Sequence, residues 1–140
     1  MFMRDISTIM RRMRVFGERH LTQYEIGFAE QMVLMYLTAQ GESSQEAIAR
    51  YFNLDKGTVA KTVAKLEEGG FLIRETDPKD RRAKKLRLTE KASGPLSDMR
   101  GLSDELRSGM YAGMTDEEVA AFEASLEKVA RNVVSMTERN

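Results

Sequence analysis

The chain has no cysteine, one histidine and two prolines in 140 residues. Without cysteine there is no disulfide, no thiolate metal site and no thiol redox sensor, which suits a reducing compartment. A single histidine, His20, cannot furnish the Ser–His–acid or Cys–His sets of nucleophilic catalysis together with other roles. No glycine-rich phosphate loop appears, and Gly69-Gly70 reads as helix termination. An enzyme is therefore not expected. Pro78 and Pro95 are the only prolines, so long helices are permitted elsewhere. No apolar run reaches transmembrane length. The N-terminus carries Arg4, Asp5, Arg11 and Arg12 with no signal-peptide core. The expectation is a soluble cytoplasmic protein with no membrane partner. Formal net charge is zero, which argues against indiscriminate polyanion binding but leaves room for a local basic patch. The length fits one domain, or a small domain with an extension.

What is present centres on Ser43 to Lys65, SSQEAIARYFNLDKGTVAKTVAK. The spacing predicts a helix, a tight turn and a second helix. Ile48, Phe52, Leu54, Val59 and Val63 are apolar where two crossing helices must touch, and Ala49 is small where the second presses on the first. Asn53 sits at the turn, and Asn accepts positive φ more readily than most residues. Asp55 can cap the second helix, and Ser43 with Glu46 makes a capping box for the first. On the second helix Val59, Val63 and Leu66 share the core side. Gly57, Thr58, Lys61 and Lys65 fall on the other, a face small at its start and cationic along its length. Such a face can lie against a phosphate backbone and reach base edges in a major groove. The alternative is an ordinary amphipathic helix with a solvated lysine face.

Before this stretch, Phe2, Ile6, Ile9, Met13 and Phe16 recur at steps of four and three, a helix–helix seam running to about Arg19. Its arginines make a membrane-active basic helix conceivable, but the rest of the chain supplies better partners for the stripe. His20 to Gly27 reads as a polar connector. Phe28 to Ala39 reads as a buried helix ended by Gly41.

After it, FLIRET (71–76) and AKKLRLT (83–89) read as two strands, Leu86 and Leu88 alternating with Lys85 and Arg87. Between them lies DPKDRR, where Asp77-Pro78 starts a turn. A charged hairpin directly after a recognition helix is a wing. Asp80-x-Arg82 puts a carboxylate and a guanidinium on one side of an extended chain, so Asp80 can hold Arg82 outward. A narrow minor groove favours an inserted arginine. The alternative is a solvated hairpin. Charge tips the balance: Lys56 to Lys91 holds eleven Lys/Arg against six Asp/Glu, whereas Asp98 to Asn140 holds nine acids against five bases.

Thr89 opens the next helix, with Leu96, Met99, Leu102 and Leu106 as its stripe. Gly94-Pro95 should kink or restart it. Thr115-x-x-Glu118 is a capping box for a last helix, whose seam is Val119, Phe122, Leu126, Val129, Val133 and Met136. A seam on a terminal helix needs a partner, and a second copy of the chain, with the N-terminal seam, supplies it. The fold expected is mainly α with a small two-stranded β wing. It has an N-terminal helix and connector (1–27), a winged helix-turn-helix (28–91) and C-terminal helices (92–140).

The chain resembles the MarR family of winged helix-turn-helix transcriptional regulators over nearly its full length. The resemblance rests on Phe28-Ala29-Glu30-Gln31, Leu54-Asp55-Lys56-Gly57-Thr58-Val59 and Leu66-Glu67-Glu68-Gly69-Gly70-Phe71. It continues through Asp77-Pro78-Lys79-Asp80-Arg81-Arg82-Ala83 and Leu88-Thr89-Glu90-Lys91. It implies a homodimer joined through the terminal helices, on palindromic double-stranded operators, with repression as the default. Each subunit would place a recognition helix in the major groove and a wing in the minor groove. By matched position, Thr58, Lys61, Thr62 and Lys65 are recognition-helix contacts, with Lys56 and Gly57 opening the same surface. Arg82 is the minor-groove arginine, Asp80 its orienter, and Arg81 and Lys84 meet phosphates. Gly94-Pro95 departs from the family's usual helix. The family often binds small aromatic anions between the dimer helices and the DNA-binding lobe. Arg14, His20 and Tyr24 can line such a site, or they are a surface arginine and an exposed connector. No cofactor or metal is implied. The competing reading is a winged-helix module for protein association without DNA.

Overall fold

The computed structural model describes residues 1–138; Arg139, counted above among the bases of the C-terminal segment, lies outside them. The described elements are α1 (Phe2–Leu21), α2 (Phe28–Gln40), α3 (Gln45–Phe52), α4 (Lys56–Glu68), β1 (Leu72–Asp77), β2 (Asp80–Leu88), α5 (Ser93–Met110) and α6 (Asp116–Glu138), with 3-10 turns at Thr22–Tyr24 and Glu90–Ala92. The chain divides into two compact units, residues 1–103 and 104–140.

In the first unit the core is made by α2, α3, α4 and the hairpin. Val33, Leu34, Leu37, Ile48, Val59, Val63, Leu66, Leu72 and Leu86 are all buried. α2 carries a single charge, and Gly41 ends it at φ +77°, its N–H bonding the Leu37 carbonyl. The expected polar connector is in part core: α1 continues to Leu21, and Leu21 and Ile26 are buried. Two apolar residues among eight are too few to show as a period, yet they anchor the join between α1 and α2.

The hairpin pairs Leu72 with Leu88 through to Asp77 with Asp80, irregular at Thr76/Asp77. Its second strand is longer than expected, so DRR belongs to the strand and only Pro78 and Lys79 form the tip. A third rung is added by Ser43, whose N–H and carbonyl bond the Leu86 carbonyl and N–H at 3.3 and 2.8 Å. Ser43 is therefore an isolated bridge residue beside β2 and not the cap of α3. Ser44 is the cap, accepting from the Ala47 N–H at 3.1 Å. Glu46 then falls one position too early to close a capping box. Leu54, expected in the core, is 48% exposed; it leaves the αL turn at Asn53 on the outer side.

After the hairpin the Thr89 N–H and hydroxyl bond the carbonyls of Phe71 and Gly70, and Lys91 Nζ bonds the Gly69 carbonyl at 2.7 Å. These bonds tie the wing's exit to the end of α4. The helix restarts as expected around Gly94-Pro95: a 3-10 turn ends at Ala92 and α5 begins at Ser93. Pro95 then occupies the first turn, where its missing N–H has no helical partner to lose, and α5 runs unbroken. Gly94 faces Tyr24, whose hydroxyl donates to Asp98 at 2.5 Å.

In the second unit the Thr115–Glu118 box forms in both directions, at 2.8 and 3.2 Å. Glu123 on α6 accepts from both Arg107 and Tyr111. The α6 seam lies open: Phe122, Leu126, Val129, Val133 and Met136 are 39–69% exposed.

Leu34 is fully buried at the centre of the first unit. Leu34→Ala is expected to lower stability by about 3 kcal/mol, transfer and cavity terms together. It should read as a lower urea midpoint with unchanged slope. A loss under about 1 kcal/mol would place the core elsewhere.

Candidate nucleic-acid interface

The recognition surface begins at a turn that local chemistry determines. Asn53 adopts φ +51°, and its N–H satisfies carbonyls at the end of α3. Asp55 then caps α4 with both oxygens: Oδ1 accepts from the Thr58 N–H and Oδ2 from the Thr58 hydroxyl, each at 2.7 Å. Those bonds hold the Asp55 carboxyl below the usual carboxylate range, the hydroxyl contributing most and the amide next. Gly57 leaves the cap open, since a Cβ there would stand 3.2 Å from Asp55 Oδ1.

From this start α4 buries Val59, Val63 and Leu66. It leaves Lys56, Gly57, Thr58 and Lys61 exposed. Two of the expected contacts have partners within the protein. Thr62 is buried, and its hydroxyl donates to the Thr58 carbonyl at 3.0 Å. It borders the apolar stripe, so it packs inward and spends its donor on its own helix. Lys65 is ion-paired with Glu30 of α2, Nζ to Oε1 at 2.8 Å, and Glu30 raises its pKa. Thr58 keeps only acceptor capacity for a ligand, its proton being given to Asp55.

On the wing, the expected Asp80–Arg82 side-chain pair is absent among the described contacts. Asp80 Oδ1 accepts instead from the Arg82 backbone N–H at 3.0 Å. The carboxylate shapes the strand's entry and does not restrain the guanidinium. Arg82, Ala83 and Lys84 line a cleft of about 420 Å3 with Gln45, Glu46, Arg74 and Asp80. That places the wing's inner cations beside the start of α3. At the tip, Asp77 Oδ1 accepts from the Lys79 N–H at 2.9 Å, which orders the turn.

The eleven bases from Lys56 to Lys91 separate into two groups. Lys65, Arg74, Lys85 and Arg87 each stand within 4.0 Å of a carboxylate, and Lys91 bonds the Gly69 carbonyl. Arg87 is held at 2.6 Å by Glu75, which raises the arginine and lowers the glutamate. Arg74 donates to Gln45 at 2.5 Å and faces Glu67 at 3.4 Å. The other six, Lys56, Lys61, Lys79, Arg81, Arg82 and Lys84, are exposed and have no ion-pair partner among the described residues. They lie on the first half of α4 and on the distal wing. Lys79 is the member that residue-by-residue matching passed over; its place at the tip of DPKD was the available signal.

The residues expected to line a small-molecule site are not gathered into one. Arg14 pairs with Glu18 at 3.1 Å and lies over the Phe28 ring. His20 Nδ1 is 2.8 Å from the Phe16 carbonyl, its ring against Phe16. Tyr24 lines a cleft of about 320 Å3 with Glu25, Glu30, Lys65, Glu68 and Phe71, which Arg14 and His20 do not line. Among the described residues no group of three or more His, Asp or Glu is arranged to hold a metal, and no helix is long and apolar enough to cross a membrane.

The MarR family model matches residues 17–83, from the end of α1 through the wing tip. Among solved structures the chain is similar to MarR, at 28% identity and TM-score 0.78, over 96% of this chain and 92% of that one. It is similar to a MarR transcriptional regulator from Methanosarcina mazei Go1, at 28% identity and TM-score 0.83, over 96% and 97%. It shares its fold with Bordetella bronchiseptica BpsR, described for regulation of its DNA binding by 6-hydroxynicotinic acid, at 21% identity and TM-score 0.77, over 89% of each chain.

The Asp55 cap gives the fold a signed pH dependence. A carboxylate with a depressed folded pKa stabilises fully above its unfolded value, and that stability is lost as pH falls through the folded value. Asp55→Asn keeps an acceptor but no charge. Wild type is expected to be the more stable at neutral pH, with the gap closing as the solution is acidified. Urea midpoints for both proteins down the acid limb measure it; a gap constant with pH would show that the cap does not depend on ionisation.

Proposed function

Because the chain belongs to the MarR family of winged-helix transcriptional regulators, we propose that it binds double-stranded DNA as a homodimer. α4 would lie in the major groove and the wing in the flanking minor groove. The observation that carries this reading is the sorting of cations. In a protein of net charge zero, six bases on α4 and the distal wing have no ion-pair partner among the described residues, while Arg74, Lys85 and Arg87 on the wing's strands each face a carboxylate. Unpaired surface cations are what release counter-ions from phosphates. Lys56 and Lys61 take backbone or base-edge roles on α4, Arg82 enters the minor groove, and Arg81, Lys84 and Lys79 meet phosphates. A module used for protein association alone has no need of that arrangement.

The dimer rests on the open seams. Phe2 and Ile9 of α1 are 63% and 43% exposed, and the α6 seam from Phe122 to Met136 is exposed at heptad spacing. Ile6, Met13 and Val119 complete the two stripes. A two-fold axis then presents two recognition helices to a symmetric operator. We extend to this chain the responsiveness to a small organic ligand for which BpsR is described.

Fluorescence anisotropy with the gene's own upstream duplex at a series of salt concentrations tests the DNA reading. Binding should weaken steeply with salt. Arg82→Ala should cost about tenfold in affinity and lower the slope of log K against log salt by about 0.9. No salt-dependent binding to any duplex would leave the association module as the better reading. Separately, Val129→Asp puts a charge in the α6 seam and should yield monomers by light scattering. A variant that stays dimeric would place the interface elsewhere.

A further inference from the structure

Glu30 is the only charge on α2, and 7% of its surface is exposed. A carboxylate withdrawn from water must be paired or protonated. Its partner is Lys65 Nζ at 2.8 Å, one helix away near the end of α4. Gly27, at the N-cap of α2, makes room for this carboxylate: a Cβ there would stand 2.9 Å from Glu30 Oε2. The cleft around the pair contains Glu25 and Glu68 as well, and Lys65 is the only base among its lining residues.

Lys65 is 58% exposed and its ammonium has three donors, so a phosphate would share it with Glu30. Moving it off Glu30 altogether would leave three carboxylates around one cleft, one of them buried. A DNA phosphate would meet an ammonium already in direct contact with Glu30. The angular position of Lys65 agrees. At 100° per residue it lies about 120° from Val59, on the Thr58 and Thr62 side, which turns toward α2. Lys61 lies about 160° from Val59, opposite the core.

We propose that Lys65, although part of the basic face of α4, is a positioning residue: with Glu30 it sets the seat of the recognition helix on α2 and does not itself touch DNA. This rests on the DNA-binding reading above and assigns a different role to one member of its expected contact set.

The test measures duplex affinity and salt slope for wild type, Lys61→Met, Lys65→Met, Glu30→Gln and the double variant Glu30→Gln/Lys65→Met. Lys61→Met is the reference for a direct contact and should lower the slope by about 0.9. Lys65→Met should weaken binding about tenfold at every salt concentration with the slope unchanged. The double variant should recover most of that loss, because no charge is then orphaned. Glu30→Gln is isosteric and serves as well if Lys65→Met does not fold. It should weaken binding about threefold at unchanged slope, a neutral acceptor holding the ammonium less firmly. The proposal is overturned if Lys65→Met flattens the slope as Lys61→Met does, or if Glu30→Gln tightens binding and steepens the slope by releasing a phosphate contact. It is also overturned if the double variant binds no better than Lys65→Met. A wild type that binds no duplex removes the DNA-binding reading itself, a separate outcome.

Discussion

Val59, Val63 and Leu66 have to leave water together, and a helix of thirteen residues can turn only one stripe inward. Burying each is worth about 1.5–3 kcal/mol, several times the worth of any single exposed ion pair on the same helix. The rotation of α4 about its axis is thus decided by its apolar side. With rotation settled, Lys56 and Lys61 face outward, Thr62 is drawn to the edge of the core, and Lys65 is carried toward α2. The turn that precedes the helix sets its origin: Asn53 reverses the chain and Asp55 marks the first helical residue. A charged surface on this helix is a consequence of where the valines go.

Electrostatics then works on what packing leaves. Nearest the core, each cation has a partner: Arg74 has Gln45 and Glu67, Arg87 has Glu75, Lys65 has Glu30. Farther out, Asp77 and Asp80 spend an oxygen on backbone amides and not on the neighbouring guanidinium groups. The two aspartates thereby order the hairpin tip without cancelling Arg81 or Arg82. The sequence placed Asp77 at the start of a turn and Asp80 beside the Arg82 guanidinium; the geometry makes both aspartates acceptors for backbone amides.

Features set by neighbours along the chain were legible in the sequence. The αL turn at Asn53, the Asp55 cap, the Thr115–Glu118 box and the Val59-Val63-Leu66 stripe are of this kind. So is the hairpin, whose alternation survives without its partner. Features set by contacts far along the chain were not. Ser43 and Ser44 are equivalent as caps until Leu86, far downstream, bridges to Ser43. Leu21 and Ile26 look like incidental apolar residues until the core of the first unit closes over them. Lys65 cannot be told from Lys61 until Glu30 is known to lie beside it. The available hint was that α2 holds one charge in thirteen residues, and a lone charge on an apolar helix calls for a partner. The candidate interface was therefore legible as a surface, while its division into free and engaged side chains was not.

Net neutrality is a working property for the proposed role. Non-specific affinity for DNA grows with the number of phosphates a protein can neutralise at any sequence. A uniformly basic molecule of this size would dwell on every duplex it met. Here the cations of α4 and the distal wing without an ion-pair partner among the described residues number six, and residues 98–140 carry nine acids against five bases. The acidic C-terminal segment disfavours approach to DNA through that part of the chain, and approach through α4 and the wing is favoured over it. One such surface makes few phosphate contacts and holds weakly. In the proposed homodimer two of them, linked through the seams, would multiply their affinities at sites with the right spacing. A modest basic patch and an exposed helical seam are each insufficient for selective binding; joined through the proposed two-fold axis, they would supply discrimination without a large positive charge.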